Sequence, residues 1–254
     1  MRLLTCLGLV ALSVPILIGV SAPAAAKTFT KPFSLELRTD DKSNGGDATQ
    51  GWWREGRVNN PVPNDSTAFG VDTQPNGVSF NTRSYFSFHI PDLGDEATVL
   101  AATLTVKVGN RRGVEPNAEM TIAGVESSLG ELSQRNTIDD AIFADLGVED
   151  DNSDFYASAP ITEGDVDGVT MLVFVLNEKA RRDIELAMDD FFTVGASAVG
   201  GAFFGSIDPA DPFIAELTIE GVRVVPLPLP AMMLLTAIGA LGLAGARSAR
   251  TAQA

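Results

Sequence analysis

Arg83-Ser84-Tyr85-Phe86-Ser87-Phe88-His89-Ile90 alternates residue by residue. Phe86, Phe88 and Ile90 fall on one face, and Tyr85, Ser87 and His89 on the other, which is the two-residue period of a strand with one buried side. Residues 101–108 repeat the pattern, with Leu104, Val106 and Val108 read as inward and Thr103, Thr105 and Lys107 as outward. Around these two segments, residues 31–37, 120–125, 169–176, 191–194 and 214–219 supply further candidate strands. Asn76-Gly77, residues 91–94, Gly109-Asn110, residues 165–168 and Asp208-Pro209 supply turn chemistry between them. Asn177 is placed to cap a helix over 178–190, with Ala180, Ile184, Ala187 and Met188 on one side, and a shorter helical turn is expected at 138–146. Many short strands with one or two short helices predict a mainly β chain. Its expected fold is a single jelly-roll-like β-sandwich spanning 27–224.

The two ends read differently. Met1-Arg2 begins a stretch in which residues 3–20 carry no charge, followed by Ser21-Ala22-Pro23-Ala24-Ala25-Ala26. A basic start, an apolar run and an Ala-x-Ala close make a secretory signal peptide, so cleavage by signal peptidase is expected after Ala26, with Ala24 and Ala26 as the small residues it reads. Pro15 and Gly19 interrupt the run and argue against a lasting N-terminal anchor. Cys6 is the only cysteine and leaves with that segment. The mature chain can then form no disulfide, no thiolate metal site and no Cys nucleophile, and must draw its stability from its core. At the other end, Val225-Pro226-Leu227-Pro228-Leu229-Pro230-Ala231 is an extended, proline-spaced strip. Residues 229–246 are uncharged and mostly apolar, at the lower limit of about 18 residues for a transmembrane helix. Arg247 and Arg250 follow and should hold that end in the cytoplasm.

The chain has 18 basic and 33 acidic residues, a net charge of −15. The two end segments hold Arg2, Arg247 and Arg250 and no acids, so the middle carries 15 against 33, a net of −18. Such a surface repels nucleic acid and anionic lipid, and it suits solubility outside the cell.

Signal peptide, globular body, Pro-Leu-Pro-Ala strip, apolar span and terminal arginines, in that order, resemble the VPLPA-type branch of the PEP-CTERM sorting proteins of Gram-negative bacteria. The resemblance covers about the last thirty residues, from Val225 onward. It implies a surface or secreted protein, a transient inner-membrane anchor and processing by an exosortase-like membrane protease. The strip departs from the family pattern by an extra Leu229-Pro230 ahead of Ala231. More loosely, the body is similar to domains found ahead of such tails. The matching residues are Gly51-Trp52-Trp53, a Gly-rich turn at 64–70, the aromatic strand 83–90 and Ala101-Ala102-Thr103-Leu104, followed by Leu176-Asn177 opening a helix and residues 191–195 after it. This resemblance implies a jelly-roll sandwich and exposes no chemistry.

Catalytic chemistry has few residues to draw on. His89 is the only histidine, no Gly-x-Ser-x-Gly elbow occurs, and the strand pattern already accounts for His89 as a surface residue. One histidine without cysteine also makes a zinc site improbable. A glycosidase needs two carboxylates about 5–9 Å apart, and 33 acids supply such pairs by chance, so the spacing selects none. Glu163, Asp165 and Asp167, with Gly168, mimic the start of an EF-hand loop and make calcium the one metal worth testing. The twelfth position of that loop is Phe174, where a bidentate Glu is needed, so a true EF-hand is excluded. Asp145, Glu149, Asp150, Asp151 and Asp154 read as a solvated acidic loop. Trp52 and Trp53 are the only tryptophans and could stack on sugar rings, although adjacent strand residues point to opposite faces.

Three functions follow in order. The first is an exported, non-enzymatic surface or matrix protein associated with exopolysaccharide. The second is a carbohydrate-binding module using Trp52 or Trp53. The third is a secreted glycoside hydrolase. None of them calls for an obligatory cofactor.

Overall fold

The computed structural model describes residues 28–39, 49–57, 66–73, 77–94, 96–113, 115–134, 137–148, 154–161, 170–206 and 214–226. Their strands are β1 (Thr28–Arg38), β2 (Gln50–Arg54), β3 (Ser66–Thr73), β4 (Ser79–His89), β5 (Thr98–Val108), β6 (Asn110–Arg112), β7 (Glu119–Gly124), β8 (Phe155–Pro160), β9 (Thr170–Val175), β10 (Phe191–Val199), β11 (Ala202–Ser206) and β12 (Ala215–Pro226). Three short helices join them: α1 (Leu129–Leu132), α2 (Asp140–Asp145) and α3 (Glu178–Leu186). Residues Thr30–Val225 make one compact unit. The other unit, Met1–Phe29 with Pro226–Ala254, holds the expected signal and sorting segments, which fall almost entirely outside the described residues.

Two antiparallel sheets form the fold. One runs β1-β12-β5-β9. The other runs β6-β11-β3-β4-β10-β7-β8, with β2 also paired to β4. Their inner faces share one apolar core. Leu104 and Val106 of β5, Leu217 and Ile219 of β12 and Phe174 of β9 meet Phe86 and Phe88 of β4, Met120 and Ile122 of β7 and Val194 of β10. The alternation at 83–90 therefore reports the core as expected. The outward reading of Lys107 does not hold, because it is buried opposite Met171 of β9, where its backbone N–H reaches the Ile214 carbonyl. Residues 66–70, expected as a turn, are strand: Thr67, Ala68 and Phe69 pair with β11. Gly70 takes a φ of +94° where the chain passes against the Gly201 carbonyl, so the glycine serves a close approach inside a strand.

The outer face of β4 also differs from expectation. Tyr85 and Ser87 are both buried, and over Tyr85 α1 and α2 form the cover. Ser87 shares a hydroxyl hydrogen bond of 2.8 Å with Thr193 of β10. Tyr85 joins Trp53, Leu132, Ile142, Phe143 and Leu146 in a second apolar cluster. Each helix of this cover starts on a satisfied cap. Ser128 and Glu131 form a capping box for α1, and Asp139 accepts from the N–H groups of Ala141 and Ile142 in α2. Arg83 fastens the far end of α2, its Nη1 donating to the carbonyls of Phe143 at 2.9 Å and Ala144 at 2.8 Å while its guanidinium lies 4.5 Å from the Phe143 ring. Burial pulls that guanidinium down from its ordinary pKa, and Glu55 and Asp154 push it back up.

α3 starts at the expected residue, with the Asn177 side chain accepting from the Ala180 N–H at 3.0 Å. Its apolar side, Ala180 and Ile184, is fully buried in the main core. Asp189, at φ 62°, turns the chain into β10. β1 and β12 are neighbours, joined at Thr39 and Ala215 by reciprocal hydrogen bonds and at Arg38 and Glu216 by an ion pair of 2.6 Å. Among the described residues no helix is long and apolar enough to cross a membrane.

Candidate functional site

Few of the residues singled out from sequence meet in space. Ala24 and Ala26, residues 227–231, and Glu163, Asp165 and Asp167 lie outside the described residues. Val225 and Pro226 are the last two residues of β12, so the proline-spaced strip begins inside a strand. His89 ends β4, exposed and edge-on to Phe191 across the ladder at 5.4 Å. Among the described residues no group of three His, Cys, Asp or Glu side chains is arranged to hold a metal ion.

The tryptophan pair divides by strand geometry. Trp53 lies opposite Arg83, on the face covered by α1 and α2. It is 1% exposed, and its indole N–H donates to the Leu132 carbonyl at 3.1 Å. Trp53 is a core residue and offers no ring face to a glycan. Trp52 lies opposite Ser84, half-buried, on the other face of the sheet.

Beside Trp52 runs a ladder of rings and guanidinium groups. Arg54, two residues on and therefore on the same face, places its guanidinium 4.9 Å from the Trp52 ring centre and 4.6 Å from that of Phe80 on β4. Arg57, in the turn after β2, lies 4.3 Å from the same Phe80 ring. Phe80 is buried, yet it belongs to neither apolar cluster. Two guanidinium groups lie over its ring.

A second feature is a cleft of about 320 Å³ where β7, β8 and β10 meet α3. Gly124, Phe192 and Thr193 line it together with Tyr156, Asp154, Lys179 and Asp183. Asn177 fixes the geometry by bridging α3 to β8, its Nδ2 donating to the Phe155 carbonyl at 2.7 Å. Tyr156 donates its hydroxyl to Asp183 at 2.6 Å, and Lys179 donates to the same carboxylate oxygen at 2.8 Å. The Tyr156 ring stacks on Phe192 at 5.8 Å. Burial first, and the Asp183 hydrogen bond second, push the phenol far above its ordinary pKa. Tyr156 therefore stays protonated and donates; it cannot act as a base. Asp145, at the cleft edge, is engaged by the N–H groups of Glu126 at 3.0 Å and Ser127 at 2.8 Å. The cleft can bind through hydrogen bonds and charge.

No protein-family model matches the chain, and no curated protein matches it. Among solved structures, the K1 cleaved adhesin domain of Lys-gingipain from Porphyromonas gingivalis W83 is similar over 78% of this chain and 98% of its own length, at 12% identity and a TM-score of 0.21.

Arg54, Arg57 and Phe80 were not singled out from sequence, nor were Tyr156, Lys179 and Asp183. A usable signal existed for the first pair: arginines at the second and fifth positions after Trp52 in an otherwise acidic chain. No such signal existed for Tyr156 and Asp183, which meet only through the fold.

Proposed function

We propose that the chain is an exported, non-enzymatic protein of the bacterial surface or extracellular matrix, built on a jelly-roll-type sandwich. In this reading it is released by signal peptidase, held for a time in the inner membrane, and processed at its proline strip by an exosortase-like protease. The observation that carries this reading is the order of the sequence. An Ala-x-Ala signal precedes the sandwich, and a VPLPA-like strip, an apolar span and terminal arginines follow it.

The test compares the full chain with a version ending at Pro226, both expressed in a Gram-negative host that carries an exosortase. The full chain should be retained at the surface, and its mature N-terminus should be Lys27 by mass spectrometry. The shortened chain should keep the same N-terminus and appear free in the medium. Equal surface retention of the two would remove the tail from the sorting role. The calcium reading of Glu163, Asp165 and Asp167 has its own readout: millimolar calcium would raise the melting temperature, and Asp165→Asn with Asp167→Asn would abolish that rise.

A further inference from the structure

We propose that the Trp52–Arg54–Phe80–Arg57 ladder binds an acidic polysaccharide, one whose pyranose rings carry carboxylates. The proposal goes beyond the export reading and stands on β2, the turn that follows it, and β4. A pyranose ring offers an apolar face of C–H groups, which stacks on an aromatic ring, and a carboxylate edge, which fits a guanidinium fork in two parallel hydrogen bonds. The ladder presents both elements side by side. Trp52 is the half-exposed ring at one end. Arg57 is the exposed guanidinium at the other, 4.3 Å from Phe80.

The arrangement suits recognition better than simple burial. A guanidinium held over an aromatic ring is restricted before a ligand arrives, so less side-chain freedom is lost on binding. Arg57 is not drawn into an ion pair with any carboxylate among the described residues. The neighbouring acid, Glu55, acts on Arg83, which lies opposite Trp53 on the other face of the sheet. Two arginines thus sit together on one face of a chain with net charge −15. That background disfavours a highly charged polyanion such as nucleic acid, which would be repelled by the rest of the surface. It weighs less against a polysaccharide, which carries at most one carboxylate per ring and shares its contact energy with stacking.

The test measures binding of the full chain, in a nonionic detergent, to polygalacturonate, to neutral dextran and to double-stranded DNA. Polygalacturonate should bind, more weakly as salt is raised from about 50 to 500 mM. Dextran and DNA should not compete. Arg57→Gln should weaken binding about tenfold, the loss expected for one charge-assisted bidentate contact. Arg57→Lys should recover only part of that, because an ammonium has no planar fork. Trp52→Leu, which keeps an apolar cover without a π face, should also weaken binding severalfold. Arg57→Gln removes an exposed group whose cation–π contact is weak at such a site, so the melting temperature should fall by only a few degrees and the transition stay cooperative, which separates lost contact from lost fold. The proposal is overturned if polygalacturonate does not bind, if dextran binds equally, if DNA competes, or if Arg57→Gln binds as the parent does.

Discussion

Tyr156 and Asp183 stand 27 positions apart in sequence and 2.6 Å apart in space, and their hydrogen bond ties β8 to α3. Its energetic signature is a pH dependence. An unfolded tyrosine loses its proton near about pH 10, whereas the folded phenol is held protonated well above that by burial and by Asp183. The group's folded pKa is raised, so its stabilisation is complete below the unfolded pKa and drains away as pH climbs beyond it. The chain should therefore lose stability steeply above about pH 10. Tyr156→Phe should flatten that slope in denaturant melts taken across the same window. At neutral pH the same change should cost about 1–2 kcal/mol, because Asp183 then keeps Lys179 as its remaining side-chain donor. An unchanged alkaline slope in the variant would mean that the phenol titrates freely.

At the scale of elements, the covered outer face of β4 is the feature with most consequence. It depends on α2 lying directly on the larger sheet, and that contact is made possible by a missing side chain. A Cβ added at Gly195 in β10 would sit 2.6 Å from the Leu146 carbonyl oxygen and 2.8 Å from its Cα, which are backbone atoms that cannot swing aside. Gly195→Ala should push the α1–α2 segment off the sheet and cost about 1–3 kcal/mol. The main core should stay intact, so hydrogen exchange should speed up at 129–146 and around Trp53, with little change in β5 and β12. Uniform loss of protection would show that the cover and the sandwich unfold as one. This layer also marks where the sequence stopped being readable. The alternation at 83–90 reports one buried face, because Phe86 and Phe88 are plainly apolar. It cannot report that Tyr85 is covered too, since its burial depends on Leu132, Ile142 and Phe143 arriving from a distant segment. Strand β8 was hidden for a related reason: Phe155–Pro160 follows an acidic run that reads as a loop. α3, by contrast, was legible from its cap and apolar side, which are local. Of the candidate glycan contacts, strand alternation predicts that Trp52 and Trp53 part company. Only the fold says which of them goes to the core, and only the fold brings Phe80 beneath two arginines.

For the whole molecule, the decisive fact is that the last described strand lies next to the first described one. Thr39 at the end of β1 bonds to Ala215 at the start of β12, 176 positions away, and β12 sits between β1 and β5 in the smaller sheet. That sheet cannot close until β12 is present, because among the described strands β1 has no other neighbour in it and β5 would be left with β9 alone. Leu217 and Ile219 also carry part of the shared core into β12. Such long-range pairing makes folding slow, on the order of milliseconds to seconds. A chain whose central strand arrives last leaves the smaller sheet open until β12 is present. A chain cut after Ile214 lacks β12 and should give no cooperative melt and strong dye binding, with apolar strand faces exposed. One cut after Pro226 keeps every described strand and should melt as the full chain does. If the Ile214 version folded cooperatively, β12 would be an addition to a sandwich complete without it.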